Sequence, residues 1–197
     1  MNKKVIWVDL DECLASTVEQ LLIENNNKIW DLVVEIKDIV NYYVHKIPWT
    51  NIDENQAIEL FRKTLFWDQW KNLIKPIKWS KEILEKLKSQ WYDLQIITAR
   101  HDALSDYTLD WLEQHYPSLF SQVHFAWHFT AWHRNKSEIC KEIWAELLIE
   151  DNYDYALEVA NQWIQVHLFN KPWNDHIKDS HEKIKRFDDW KNLRIKK

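Results

Sequence analysis

The 197-residue chain contains no glycine at all, where average usage near 7% would place about a dozen. Cysteine is scarce. Cys13 and Cys140 are the only two, too few for a disulfide framework in a chain of this length, and they read as thiols of a reducing compartment. No apolar run approaches the ~20 residues of a membrane-spanning helix, which excludes that class. The N-terminal Met1-Asn2-Lys3-Lys4 leads straight into Val5-Ile6-Trp7-Val8. That is too short for a signal-peptide core, so a cytoplasmic protein is expected, with no membrane partner. A net charge of −5 argues against a protein that coats a nucleic-acid polymer, since such binding needs clustered Lys and Arg. A small anionic substrate stays open if local groups neutralise it.

Tryptophan is what the chain has in excess, 14 in all. Trp91, Trp144 and Trp163 each fall just past an amphipathic helical pattern and just before a strand pattern. That is the site where a helix commonly ends in a left-handed turn and where glycine is the usual occupant. A side chain there costs about 1–2 kcal/mol. Many of these tryptophans are therefore expected to be glycines in the protein of the native source, through a genetic code that reads UGA as glycine; the alternative is a truly tryptophan-rich chain with non-glycine helix caps.

Residues 4–9, Lys-Val-Ile-Trp-Val-Asp, read as a strand apolar on both faces, as in a parallel sheet. Residues 16–75 change character: Val18–Ile23, Ile29–Val44 and Asn55–Phe66 carry apolar residues at helical spacing. Beyond them helices and strands alternate. Helix 80–90 leads to strand 93–98, helix 103–115 to strand 122–126, helix 136–143 to strand 146–150, and helix 153–162 to strand 164–169. Such alternation predicts an α/β fold, a Rossmann-like three-layer core on a parallel sheet. The expected organisation is a core from 1–15 and 76–174, a small helical cap inserted after strand 1 at 16–75, and a charged tail at 175–197, packed on the surface as a last helix and strand.

Ligands of such sheets bind at the carboxyl ends of the strands. Strand one ends in Asp9-Leu10-Asp11, the strand at 93–98 ends in Thr98 with Arg100 beyond, and the strand at 146–150 ends in Glu150-Asp151. Lys136 opens the helix before that last strand. Two aspartates, a hydroxyl, a lysine and an acidic pair are thus expected along one edge.

That order resembles the haloacid dehalogenase superfamily over roughly 1–15 and 77–173. Val8-Asp9-Leu10-Asp11-Glu12-Cys13-Leu14-Ala15, Ile96-Ile97-Thr98-Ala99-Arg100 and Leu147-Leu148-Ile149-Glu150-Asp151-Asn152 look like its 5′(3′)-deoxyribonucleotidase-type branch. So do Leu168-Phe169-Asn170-Lys171-Pro172-Trp173-Asn174 and Arg186-Phe187-Asp188-Asp189-Trp190. By this comparison Trp173 and Trp190 are genuine tryptophans. Trp7, Trp79, Trp91, Trp127, Trp132, Trp144 and Trp163 stand where relatives tend to have glycine or another small residue.

The resemblance implies hydrolysis of a phosphate monoester through an aspartyl-phosphate on Asp9. Asp11 would protonate the leaving alcohol and then activate water. It implies Mg²⁺ held by Asp9, the Asp11 backbone carbonyl and Asp151, a hard cation on oxygen ligands. Thr98 would hydrogen-bond a phosphoryl oxygen, Lys136 would neutralise the charge of the intermediate, and Glu150 would position Lys136 or the metal waters. Arg100 would contact substrate or pair with an acid. A nucleoside monophosphate is the substrate implied. A sugar phosphate or other small metabolite is the nearest rival, and a non-catalytic binding protein that keeps the fold is the rival from another class.

The remaining features have plainer readings. Cys13 packs beside the site. His124, His128 and His133 match no compact zinc spacing and read as loop or substrate-proximal histidines. Asp154 reads as a helix N-terminal acid or a distant partner of the metal waters, and Asp53-Glu54, Asp188-Asp189 and Lys196-Lys197 as solvated surface. Tyr42, Tyr43, Phe61 and Phe66 of the insert could stack on a nucleobase, though at helical spacing aromatics more often pack a core.

Overall fold

The computed structural model describes residues 3–25, 33–66, 73–126, 136, 139–140, 145–178 and 181–195. Strand β1 (Lys4–Val8) is a short β-branched run whose Ile6, Trp7 and Val8 are wholly buried on both faces. Around it lie β2 (Tyr92–Thr98), β3 (Gln122–Phe125), β4 (Leu147–Glu150), β5 (Gln165–Phe169) and β6 (Ile184–Phe187). Their order is β3-β2-β1-β4-β5-β6 and every pairing is parallel.

Alternate residues of each strand feed opposite layers. Ile6, Val8, Leu94, Ile96 and Ile149 join one apolar cluster with Leu84 and Leu87 of α3 (Ser80–Ser89) and Trp111 and Leu112 of α4 (Ser105–His115). Trp7, Ile97, Leu148 and Val166 join another, with Ala156 and Val159 of α5 (Tyr153–Ala160). Two apolar faces under helices give the three layers expected of an α/β core. No helix among the described residues is long and apolar enough to cross a membrane.

The chain leaves this core at Ala15 and returns at Pro76, which form a bridge flanked by Ser16 N–H to Lys75 O (2.9 Å) and Ile77 N–H to Leu14 O (2.7 Å). Between them lie α1 (Thr17–Asn25) and α2 (Glu54–Phe66). Asp53 and Gln56 each accept the other's backbone N–H at 2.8 Å, so Asp53, exposed at the surface as expected, also caps α2. The helix expected over Ile29–Val44 is absent from its described part, 33–44. Extended chain and short 3-10 turns at Ile36–Asp38 and Val44–Lys46 replace it. Val33, Val34, Ile36, Ile39, Val40 and Val44 are all β-branched and resist helix, and the buried members, Val34, Ile39 and Val44, are spaced by five rather than by three or four.

The segment expected as a surface tail does more than cover the sheet. It supplies the edge strand β6, and Phe187 stacks on Phe169 at 4.6 Å while Trp190 is wholly buried.

Trp79, Trp91 and Trp163 have φ of 68°, 74° and 63°, in the left-handed region. Trp91 and Trp163 follow α3 and α5 as the sequence predicted, and both are about two-thirds exposed (65% and 68%). Trp7 is buried, and its indole N–H has no partner among the described residues. Trp111, Trp173 and Trp190 behave differently. Each is buried and donates its indole N–H, to Ile74 O, Asp151 Oδ2 and Cys13 O at 2.9, 2.8 and 2.9 Å. Trp127, Trp132 and Trp144 lie outside the described residues, as do His128, His133, Lys196, Lys197 and most of the helix expected at 136–143.

Candidate active site

Strand order reverses direction of growth between β1 and β4, and this opens a crevice at their carboxyl ends. Asp9 stands there, its N–H extending the ladder to Ile149 O at 2.9 Å. Lys136 Nζ lies 2.5 Å from Asp9 Oδ1 and 2.8 Å from Glu150 Oε2, bridging two carboxylates in a site closed to solvent. The other oxygen of Glu150 accepts the backbone N–H groups of Asp151 (3.1 Å) and Asn152 (3.0 Å), so Glu150 is fixed at both ends.

Burial pushes the Asp9 carboxyl up to about 8, against the pull of Lys136 and with further upward push from Glu150 and Asp11. Asp151 is raised well above the carboxylate range by burial, then by the charges of Glu150 and Asp9. Burial works against the Lys136 ammonium, yet Asp9 and Glu150 outweigh it and hold its pKa well above the ordinary value.

Asp11 is half-buried, and Arg100 pairs with it. Its Nε and Nη2 donate to the two Asp11 oxygens at 2.9 and 2.6 Å, and the Thr17 hydroxyl donates to the same carboxylate. Burial pushes Asp11 upward, but Arg100 and Thr17 outweigh it and hold the group below the usual carboxylate range. Thr98 is wholly buried at the end of β2, where its hydroxyl accepts the N–H of Arg100 at 3.2 Å. Asp154 is exposed in the first turn of α5.

Several neighbours were not singled out for the site from the sequence. Glu12, at φ 62°, turns its side chain back to accept Val18 N–H at 2.7 Å and meets Lys171 at 3.3 Å. Trp173 donates to Asp151, and the Asn174 side-chain amide donates to Asp151 O (2.6 Å) and Phe169 O (2.8 Å). The signal that could have found them is position: Asn170–Asn174 follows β5 at the same sheet edge.

Of the cap aromatics, Tyr42 comes to the site. Its ring meets Tyr155 edge-on at 6.3 Å, and Lys136 lies 4.8 Å from the Tyr155 ring centre. Burial, then the negative charge of Asp151, raises the Tyr42 phenol well above its ordinary value. Tyr43 stands edge-on to Tyr42 at 5.4 Å, Phe61 packs against the apolar cluster of the insert, and the Phe66 side chain lies outside those described. His124 stacks on Trp7 at 4.8 Å and its Nε2 is 3.2 Å from Gln95 Oε1, a packing role.

Asp9, Cys13 and Asp151 each offer a ligand atom within 4.8 Å of the others. Charge also fits a divalent cation. Counted as ionised, Asp9, Asp11, Glu12, Glu150 and Asp151 exceed Arg100, Lys136 and Lys171 by two negative charges among the described residues here, and a divalent cation would favour the ionised forms of the raised Asp9 and Asp151 carboxyls. Oxygen donors suit a hard cation. Burial pushes the Cys13 thiol well up, so it stays protonated and lines the site. The carboxylate of Asp11 is engaged by Arg100.

No family model matches this chain. It is 27% identical over 191 residues to a nucleotidase of Clostridium acetobutylicum, covering 96% of this chain and 91% of that protein. Among solved structures, a predicted phosphoglycolate phosphatase from Haemophilus somnus superposes with a TM-score of 0.61 over 96% of both chains at 16% identity. A haloacid dehalogenase-like hydrolase from Streptococcus pneumoniae superposes with a TM-score of 0.62 over 85% of both at 14% identity. The chain therefore has the haloacid dehalogenase-like fold.

Proposed function

We propose that this protein is an enzyme, a Mg²⁺-dependent phosphomonoesterase whose substrate is a nucleoside monophosphate. The observation that carries the reading is the clamp on Asp9. A buried carboxylate at the switch point has one oxygen held by Lys136, faces Asp151, and has a half-exposed second carboxylate two residues on. A carboxylate placed so is a nucleophile, since Lys136 orients it and offsets the charge that builds at phosphorus.

Asp9 attacks phosphorus and the ester P–O bond breaks. The leaving oxygen takes its proton from Asp11, leaving a phosphoryl group on Asp9. Asp11, now a carboxylate, takes a proton from water as that water attacks phosphorus. The Asp9–phosphorus bond breaks and inorganic phosphate leaves. A cation held by Asp9, the Asp11 backbone carbonyl and Asp151 would supply positive charge to the phosphoryl oxygens. Arg100 and Thr17 both favour the carboxylate form of Asp11, the form that activates water; the proton for the leaving oxygen is taken up from solvent before attack, an uptake that the negative charge of the bound phosphate favours. Thr98 offers a hydroxyl at the phosphoryl end of the site.

The nucleotide preference is supported by the relative in Clostridium acetobutylicum, matched over nearly its whole length, and by Tyr42, an aromatic of the insert facing the site. A small metabolite ester is the second reading, favoured by the likeness to the structure of a predicted phosphoglycolate phosphatase. Phosphate release from a panel of nucleoside monophosphates, sugar phosphates and phosphoglycolate, with and without Mg²⁺, separates the two. Nucleotides leading the panel is the expected result. A sugar phosphate or phosphoglycolate preferred over every nucleotide defeats the nucleotidase reading, and no turnover by folded protein leaves a binding protein.

A further inference from the structure

We propose that Trp173 is the positioning residue of the cation site: its indole N–H fixes the Asp151 carboxylate, and its ring ties that carboxylate to the packing of the insert. The inference rests on the reading that Asp9 and Asp151 hold a divalent cation. Trp173 Nε1 donates to Asp151 Oδ2 at 2.8 Å, and it is the one side-chain donor to that carboxylate among the described residues. Asn174 holds the Asp151 carbonyl at 2.6 Å from the adjacent position, so side chain and backbone of Asp151 are both set by the segment after β5.

The chemistry of the donor matters. An indole donates one hydrogen bond and carries no charge. It therefore orients Asp151 without neutralising the charge that the carboxylate carries when a cation is bound. The contrast is Asp11, which Arg100 both orients and neutralises. Trp173 is 4% exposed, and its ring belongs to the apolar cluster of the insert with Val18, Leu22 and Leu60. It comes from the core segment after β5, yet it is buried among insert residues. The ring cannot turn without disturbing that cluster, so seating of the insert and aim of the metal ligand are mechanically one event.

The test is Mn²⁺ binding to the substrate-free protein, followed by electron paramagnetic resonance, in wild type, Trp173→Phe, Trp173→His and Asp151→Asn. Trp173→Phe keeps an aromatic ring without the donor, and binding is expected to weaken tenfold or more while the melting temperature stays near wild type. Trp173→His restores a ring N–H and is expected to recover part of the loss. Equal Mn²⁺ affinity in Trp173→Phe and wild type overturns the positioning role. Absence of any wild-type Mn²⁺ binding that Asp151→Asn abolishes overturns the cation reading and this inference with it. A measurement on the unaltered protein guards against variants that fail to fold. The ¹⁵N–¹H indole signal of Trp173 is expected to shift on Mg²⁺ addition, and a signal that does not move counts against the proposal.

Discussion

Arg100 and Asp11, 89 residues apart in sequence, meet through two hydrogen bonds of 2.9 and 2.6 Å, one to each carboxylate oxygen. A two-point grip fixes the plane of the carboxylate as well as its place, which a single lysine could not do. Because the guanidinium is buried and Asp11 is half-exposed, the carboxylate is aimed at the crevice from behind.

Removing the grip is expected to slow the reaction more than it weakens binding. Arg100→Met should lower kcat about 10- to 100-fold with a smaller change in KM, and Arg100→Lys should fall between. With the cation gone, Asp11 loses the influence that held it low. The acid limb of the kcat profile should therefore move to higher pH. Steady-state kinetics from pH 5 to 9 check this, and an unchanged profile in Arg100→Met would show that Arg100 does not govern Asp11.

The tryptophans divide by backbone and by indole. Trp91 and Trp163 are exposed in left-handed conformations, so Trp91→Gly and Trp163→Gly should each stabilise the fold by roughly 1 kcal/mol. Trp111, Trp173 and Trp190 are buried and hydrogen-bonded, and truncating any of them to alanine should cost about 3–5 kcal/mol. Urea denaturation measures both sets. Intact mass of the protein from its native source goes further: a mass lower than that of the 14-tryptophan chain is expected, with glycine at 91 and 163 and tryptophan at 111, 173 and 190.

His167 on β5 gives the fold an acid sensitivity. Burial, aided by Lys185, lowers its pKa to about 4 from an ordinary 6.5. Below 6.5 the unfolded chain takes up a proton that the folded one refuses, so this contribution to stability is present at neutral pH. It is lost as pH falls from 6.5 toward 4 and amounts to about 3 kcal/mol at most. His167→Gln should lose less stability than wild type between pH 6.5 and 4.5. Parallel denaturation profiles for the two proteins would remove His167 as the cause.

What could be read in the sequence was local. Alternating helices and strands placed the α/β core, because each pattern spans only the element that it describes. Asp9, Thr98, Glu150 and Asp151 could be placed on one edge because each closes a strand, and Trp91 and Trp163 stood out because a helix end has one favoured backbone there. The grip of Arg100 on Asp11 and the bond from Trp173 to Asp151 join distant segments, and nothing in either segment alone names its partner. The stretch 33–44 misled for the opposite reason. Its apolar residues suggested a helical period, while their β-branched side chains and tertiary burial against α1 and α2 set the backbone.

If Asp9 carries the phosphoryl group, the labelled intermediate can be trapped on it. Protein mixed with ³²P-labelled nucleoside monophosphate and Mg²⁺, quenched in acid and digested, is expected to yield one labelled peptide. That peptide should contain Asp9, lose its label to hydroxylamine, and be missing from Asp9→Asn, which should release no phosphate. Sustained phosphate release by Asp9→Asn, or label on a peptide without Asp9, would contradict the account.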